Sequence, residues 1–232
     1  MRVNRRPLSL LAVTFLVACQ ANAISLAEAN EIRNAIRAYT QSEDYQTPEK
    51  FTLVDTSEYN GITIELKEIY DSANHFDYRR TRWTEDGETT ESELWFFFDG
   101  AKTYTLETSA DGVKTRTEDM GNTFDENRPY NMTWLENWNA IDWYAERLDS
   151  VTEENAHPDN VYQSKGDGHL YYKLYLPMTA GGFQTMELLF EDYNLVRYAT
   201  QSSESTESYT VDYKNAPTTY PDIGSFTLTS EE

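Results

Sequence analysis

Residues 51–67 read FTLVDTSEYNGITIELK, and their pattern is the clearest structural signal in the chain. Phe51 and Leu53 open the stretch, and after Asn60-Gly61 the apolar residues at 62, 64 and 66 alternate with polar ones, which is the period of a β-strand with one face in water. Asn-Gly favours the two-residue turn of a β-hairpin, because both turn positions need a positive φ. The stretch therefore predicts two antiparallel strands joined by a tight hairpin.

The alternating pattern continues toward the carboxyl end in two series of short strands. The first extends to about residue 117, and the second runs from about residue 170 to residue 213, with Phe226 and Leu228 as a short final strand. Turn signals separate the strands at intervals of about ten to fifteen residues, and no helical pattern lies within either series. Each series is therefore predicted to be an antiparallel meander.

Two helices are predicted beside these strands. Ser25-Leu26-Ala27-Glu28 has the form of a capping box, and apolar residues then recur at helical spacing to about Thr40. A second capping box opens residues 133–148, whose apolar stripe is strongly aromatic and includes Trp134 and Trp138. The sequence thus orders its elements as helix, meander, helix, meander.

A long series of sequential antiparallel strands coils instead of staying flat. We therefore predict an α+β fold dominated by β structure: a curved antiparallel sheet, forming a half barrel or open barrel. Its concave face needs a cover, and the two predicted helices are the elements available to provide it. The Trp-rich helix is the better candidate for a plug or lid.

The amino terminus resembles a lipoprotein export signal. Residues 1–18 combine three arginines with an apolar run, and Leu16-Val17-Ala18-Cys19 resembles a bacterial lipobox. The resemblance implies lipidation of the Cys19 sulfur and cleavage before it. Ordinary secretion with cleavage after Ala21-Asn22-Ala23 is the alternative. We favour lipidation because Cys19 is the single cysteine of the chain, and an anchor accounts for it.

The expected organisation is a signal peptide at residues 1–18, a lipidated tether at 19–24 and one domain at 25–232. The expected location is the bacterial cell envelope, with the protein held by its lipid anchor. Gln20 follows the cysteine where an Asp would favour the inner membrane. In a Gram-negative cell this favours the periplasmic face of the outer membrane.

The chain is strongly acidic, with 40 Asp and Glu against 19 Lys and Arg and a formal net charge of −21. This charge repels phosphate backbones and anionic lipid surfaces, which argues against nucleic-acid binding and against unaided adsorption to a membrane. Arg79, Arg80 and Arg82 stand out in so acidic a chain. We expect them to pair with nearby carboxylates, and contact with a ligand head group or a partner is the alternative.

The sequence contains no recognisable motif for catalysis or metal binding. His75, His157 and His169 lack metal-binding spacing, and neither a Gly-x-Ser-x-Gly elbow nor a glycine-rich phosphate loop occurs. We therefore expect no enzyme activity, no metal and no cofactor. A pair of carboxylates suited to glycoside hydrolysis stays open, because the separation it needs is spatial.

Two local stretches and the order of elements resemble a known family. Residues 74–79 read NHFDYR before a turn, and residues 95–104 read WFFFDGAKTY. With residues 190–195, which fit its closing strands, they make the chain similar to the bacterial LolA/LolB-type lipoprotein-carrier superfamily. The resemblance covers nearly all of the mature chain and rests on turn and strand signals. It implies that acyl chains or other apolar ligands bind between the sheet and its helical cover.

Aromatic and aliphatic side chains make up the candidate binding site. The residues expected to line an apolar cavity are Trp95, Phe97, Tyr104, Trp134, Trp138, Leu174 and Phe190. A packed core of the same side chains is the alternative, and the two overlap because lipid carriers use their core as the pocket. We expect a non-enzymatic envelope protein that binds a lipid or lipoprotein acyl chain. A sensor or protein-interaction module that docks an envelope partner is the alternative.

Overall fold

The computed structural model describes residues 21–46, 48–98, 102–119, 149–178, 181–215, 219 and 221–229. In these ranges one α-helix, α1 (Leu26–Thr40), accompanies a single curved, unclosed sheet of thirteen strands. The strands are β1 (Asn22–Ala23), β2 (Lys50–Tyr59), β3 (Ile62–Asp71), β4 (Phe76–Glu85), β5 (Glu88–Phe98), β6 (Thr103–Thr108), β7 (Lys114–Asp119), β8 (Val161–Ser164), β9 (Leu170–Pro177), β10 (Phe183–Glu191), β11 (Asn194–Gln201), β12 (Ser205–Asp212) and β13 (Thr227–Leu228). The prediction of a β-dominated fold with an open, curved sheet is confirmed.

The strands follow the order β1-β8-β9-β10-β11-β12-β2-β3-β4-β5-β6-β7-β13 across the sheet. β2 to β7 form one meander and β9 to β12 belong to the second, as the sequence predicts. β12 pairs antiparallel with β2, and this pairing joins the two meanders into one sheet. β13 pairs parallel with β7. The sequence indicated neither the β12–β2 pairing nor β8, which lies in a polar stretch without a strand pattern.

α1 begins and ends where its sequence predicts. The Ser25 hydroxyl accepts a hydrogen bond from the Glu28 backbone N–H at 3.2 Å, and the Glu28 carboxylate accepts one from the Ser25 N–H at 2.8 Å. Ala29 and Ile36 are fully buried against the sheet. No helix in the described ranges has the length and apolar character to cross a membrane. The second predicted helix, at residues 133–148, lies outside the described residues.

The hairpin turns have the backbone conformation that their sequences favour. Asn60 and Gly61 have φ values of 51° and 81°, and Asp86 and Gly87 have 52° and 82°. Two consecutive positive φ values are what a type I′ hairpin turn requires. The predicted hairpin at Asn60-Gly61 is therefore confirmed.

The buried apolar residues form two clusters, and the strand register places these clusters on opposite faces of the sheet. Successive residues of a strand point to opposite faces, and directly paired residues share a face. Phe51 pairs with Tyr70, whereas Thr52 pairs with Ile69. Tyr70 belongs to the first cluster and Ile69 to the second. The core therefore changes face within β3, between two adjacent residues.

The first cluster lies under α1, on the side of the sheet that we call the α1 face. Its members are Ala29, Ile36, Phe51, Leu53, Tyr70, Leu170, Tyr172, Leu174, Leu176, Met186, Leu188, Phe190, Leu195, Tyr198, Tyr209 and Val211. The second cluster lies on the other side, which we call the Trp95 face. Its members are Ile69, Phe76, Tyr78, Phe97, Tyr104, Leu106 and Phe226, with Trp95 and Ile223 packed against them.

Candidate functional site

The structure separates the residues that the sequence assigns to one apolar cavity. Trp95, Phe97 and Tyr104 come together on the Trp95 face, in or against the second cluster. Leu174 and Phe190 lie in the first cluster, beneath α1 on the opposite face. The two groups therefore do not share a surface of the sheet. Trp134, Trp138 and Cys19, the remaining predicted site residues, lie outside the described residues.

Aromatic side chains dominate the Trp95 face across β4, β5 and β6. The rings of Tyr78 and Trp95 have centroids 4.2 Å apart, and those of Phe97 and Tyr104 stack at 5.0 Å. Phe76 lies 5.9 Å from Trp95, centroid to centroid. Contacts of this kind add to the free energy of apolar burial. The result is an extended aromatic surface on one face of a single sheet.

Sequence reasoning did not include Phe76 and Tyr78 in the site. Phe76 pairs directly with Phe97, and Tyr78 pairs directly with Trp95, so all four side chains point to the same face. The alternation within β4 indicated that Phe76 and Tyr78 share a face with each other. The register between β4 and β5, which the sequence pattern does not specify, decides that this face is also that of Trp95.

A polar border lies next to the aromatic surface. The Tyr78 hydroxyl donates a hydrogen bond of 2.7 Å to the Glu93 carboxylate. Burial, followed by this hydrogen bond and the charge of Glu93, raises the pKa of Tyr78 above its ordinary value. The phenol therefore stays neutral at physiological pH and acts as a donor. The aromatic surface is thus bordered by two polar groups that are hydrogen-bonded to each other.

Two of the three clustered arginines extend this border along the Trp95 face. Arg80 donates to Glu65 at 2.7 Å, and Arg82 donates to Glu91 at 2.8 Å. Arg82 also lies 3.7 Å from Glu65, so one glutamate serves both guanidinium groups. The prediction that these arginines pair with nearby carboxylates is confirmed.

The third arginine, Arg79, belongs to a buried network on the α1 face. Its Nε donates to Glu68 Oε1 at 3.3 Å, and its Nη2 donates to Asp77 Oδ2 at 2.8 Å. Burial raises the pKa of Glu68 to about 8, with the charge of Asp77 adding to the effect and Arg79 opposing it. Burial likewise raises the pKa of Asp77 to about 6. Burial therefore makes both carboxyl groups hold their protons to a higher pH than is ordinary for their type, Glu68 more strongly than Asp77.

This network does not have the access that a hydrolytic carboxylate pair needs. Such a pair flanks a substrate bond, with room for the sugar and for water. Glu68 has an exposed fraction of 0%, and both carboxyl groups contact the same guanidinium. Within the described ranges, no group of three or more His, Cys, Asp or Glu residues is placed to hold a metal ion.

The comparisons with known proteins give matches among solved structures. No protein-family model matches the chain, and no curated protein matches it. Among solved structures, the crystal structure of LprF from Mycobacterium bovis is similar over 87% of this chain and 99% of LprF. The sequence identity is 10%, and the TM-score is 0.35.

Proposed function

We propose that this chain is a lipid-anchored protein of the bacterial cell envelope that binds a lipid or lipoprotein acyl chain on its Trp95 face, without catalysing a reaction. The observation that carries the proposal is a row of apolar side chains running straight across four strands. Ile69 pairs with Tyr78, Tyr78 with Trp95, and Trp95 with Leu106. The row forms one apolar line across the sheet, in which Trp95 is half-buried and the other three side chains are at most 8% exposed.

The dimensions of the row suit an extended acyl chain. Neighbouring strands lie about 4.8 Å apart, so three strand spacings cover about 14 Å. A second row, Phe76, Phe97 and Tyr104, runs beside the first. An acyl chain lying along these rows removes apolar surface from water over most of its length, and that is the main source of affinity for such ligands.

Trp95 is the residue of this surface that the proposal places in contact with ligand. It retains some solvent exposure, whereas Phe76, Phe97 and Leu106 around it are buried. The sequence predicts an amphipathic helix at 133–148 as the cover, with Trp134 and Trp138 facing the ligand. Leu174 and Phe190 are assigned to the packed core under α1, because they lie on the other face.

The test is binding of a fluorescent fatty acid to delipidated protein. Trp95→Ala is expected to weaken binding by about tenfold, which corresponds to about 1.4 kcal/mol and to part of one buried aromatic ring. Trp83→Ala is the matched control, because Trp83 lies in the neighbouring strand, points to the α1 face and is 40% exposed. Its affinity is expected to equal that of the unmodified chain. Thermal unfolding of both variants identifies any loss that comes from misfolding.

Two outcomes contradict the proposal. One is the absence of co-purified lipid in native protein together with no fatty-acid binding after delipidation. The other is equal loss of binding in the two tryptophan variants. A pull-down that returns one stoichiometric envelope protein and no lipid favours the interaction module instead.

A further inference from the structure

Two acidic residues that form no ion pair with any described residue lie where the two meanders join. Asp55 of β2 pairs directly with Tyr209 of β12, and Ser57 pairs with Glu207. Asp55 and Glu207 are therefore diagonal neighbours on the α1 face, both half-buried. Among the described residues, neither carboxylate forms an ion pair or a hydrogen bond, and Asp55 Oδ1 is buried without a partner.

A buried hydroxyl that has no hydrogen-bond partner among the described residues belongs to the residue paired with Asp55. Tyr209 is 6% exposed, and its Oη forms no hydrogen bond with the residues that the structure describes. A buried hydroxyl without a hydrogen bond costs stability, and nearly all buried polar groups in folded proteins have a partner. Burial is the main cause that raises the pKa of Tyr209, and Tyr213 adds to the effect. Asp55 and Glu207 add to it as well, so both carboxylates lie near the phenol.

Three partly buried carboxylates elsewhere on the same sheet each have a basic partner. Glu65 has Arg80, Glu91 has Arg82, and Glu187 has Lys173 at 3.1 Å. The Asp55–Glu207 pair therefore combines burial and like-charge repulsion, and none of the described residues compensates for this with an ion pair. Its cost is reflected in the pKa of Asp55, which burial and the charge of Glu207 raise to about 6.

We infer that Asp55, Glu207 and the Tyr209 hydroxyl form a binding site for the ammonium group of an amphiphilic primary amine. An ammonium group has three N–H donors and no acceptor, which matches two carboxylates and one hydroxyl oxygen. Leu66 pairs directly with Asp55, and Ile64 with Ser57, and both apolar side chains are half-buried. They provide a surface for the apolar part of the same ligand.

A hydrated divalent cation fits this place less well than an amine. Ca²⁺ takes six to eight oxygen ligands and Mg²⁺ keeps much of its water shell, whereas Leu66 and Ile64 offer no oxygen. The site is on the face opposite Trp95, so it does not depend on the acyl-chain site proposed above. The strong negative charge of the whole chain adds attraction for cationic ligands.

The experiment is isothermal titration calorimetry of the full domain with n-octylamine, with n-octanol as the uncharged analogue of the same length. The unmodified chain is expected to bind the amine about tenfold or more tightly than the alcohol, because charge-assisted hydrogen bonds form with the amine alone. Asp55→Asn and Glu207→Gln keep the shape of the side chains and are each expected to remove most of this preference. Glu204→Gln, an exposed change in the adjacent turn, is expected to preserve it.

Tyr209→Phe separates a binding role from a structural one. It removes a buried hydroxyl that has no hydrogen-bond partner among the described residues. The ligand-free variant is therefore expected to unfold at the same or a higher temperature, whereas its affinity for the amine is expected to fall. The inference is overturned if octylamine and octanol bind with equal affinity, if Asp55→Asn and Glu207→Gln leave the preference for the amine intact, or if Ca²⁺ displaces octylamine at millimolar concentration.

Discussion

Ile69 and Tyr70 are neighbours in β3, yet they belong to two different apolar clusters on opposite faces of the sheet. Tyr70 packs with Phe51 beneath α1, whereas Ile69 pairs with Tyr78 on the Trp95 face. β3 is thus the strand at which one core ends and the other begins. The division matters for function, because it assigns one face to packing under α1 and leaves the other as the candidate for an apolar ligand.

Both clusters are expected to stabilise the fold. Leu188→Ala in the first cluster and Leu106→Ala in the second each remove a side chain that is at most 1% exposed. Each is expected to lower the free energy of unfolding by about 2–5 kcal/mol, measured by urea denaturation. Leu228→Ala, at a residue that is 50% exposed, is the control and is expected to cost far less. A Leu106→Ala effect as small as that of Leu228→Ala would show that the second cluster contributes little to stability.

The stability of the domain is expected to fall as pH rises from about 4.5 to 8. The pKa of Glu68 is raised from 4.5 to about 8, so the folded state binds more protons than the unfolded state across this window. Glu68→Gln imitates the protonated carboxyl and is expected to flatten the dependence, so that the variant gains stability relative to the unmodified chain at pH 8 but not at pH 5. Urea denaturation at pH 5 and pH 8 measures it.

The matched control for this pH dependence is Glu187→Gln. Glu187 pairs with Lys173 at the surface of the sheet, and its replacement is expected to leave the slope between pH 5 and 8 unchanged. Equal slopes for the unmodified chain and Glu68→Gln would rule out Glu68 as the source.

Gly168 is expected to be less tolerant of alanine than Gly87, although both have positive φ values, of 70° and 82°. A Cβ at position 168 would lie 2.7 Å from Cδ2 and 2.9 Å from the backbone N of Tyr193, whereas nothing lies within 4 Å at position 87. Gly87→Ala should cost about 1 kcal/mol for its left-handed backbone. Gly168→Ala should cost at least about 1 kcal/mol more. Similar unfolding midpoints for the two variants would contradict the close packing of Gly168 on Tyr193.

Cys19→Ala is expected to release the protein from membranes. In the proposed lipidated form, two or three acyl chains at about 0.8 kcal/mol per buried methylene would hold the unmodified chain against the repulsion of its acidic domain. Fractionation of expressing cells measures the distribution, and mass analysis of the mature amino terminus identifies the cleavage site. A chain that begins at Ile24 without lipid, or a Cys19→Ala variant that stays with membranes, would contradict the anchor.

Local features of the fold were predictable because their signals are local. The capping box at Ser25 and Glu28, the turn at Asn60-Gly61 and the period of each strand depend on residues a few positions apart. The pairing of Arg80 and Arg82 with carboxylates followed from the excess of acidic residues around them. The turn between β10 and β11 also followed from its local sequence, although the positive φ values of Asp192 and Tyr193 occur without a glycine.

The candidate sites depended on contacts between distant parts of the chain. The alternation in each strand already indicated which residues share a face, as with Phe76 and Tyr78 in β4 or Leu174 and Leu176 in β9. Register and strand order decide which faces of neighbouring strands lie on the same side of the sheet. Both follow from pairings between distant residues, such as Asp55 with Tyr209, which are 154 residues apart. Because of those pairings, the residues expected to line one cavity lie on two opposite faces of the sheet. The sequence could not show this, since the period of a strand does not specify which strand it pairs with or in which register.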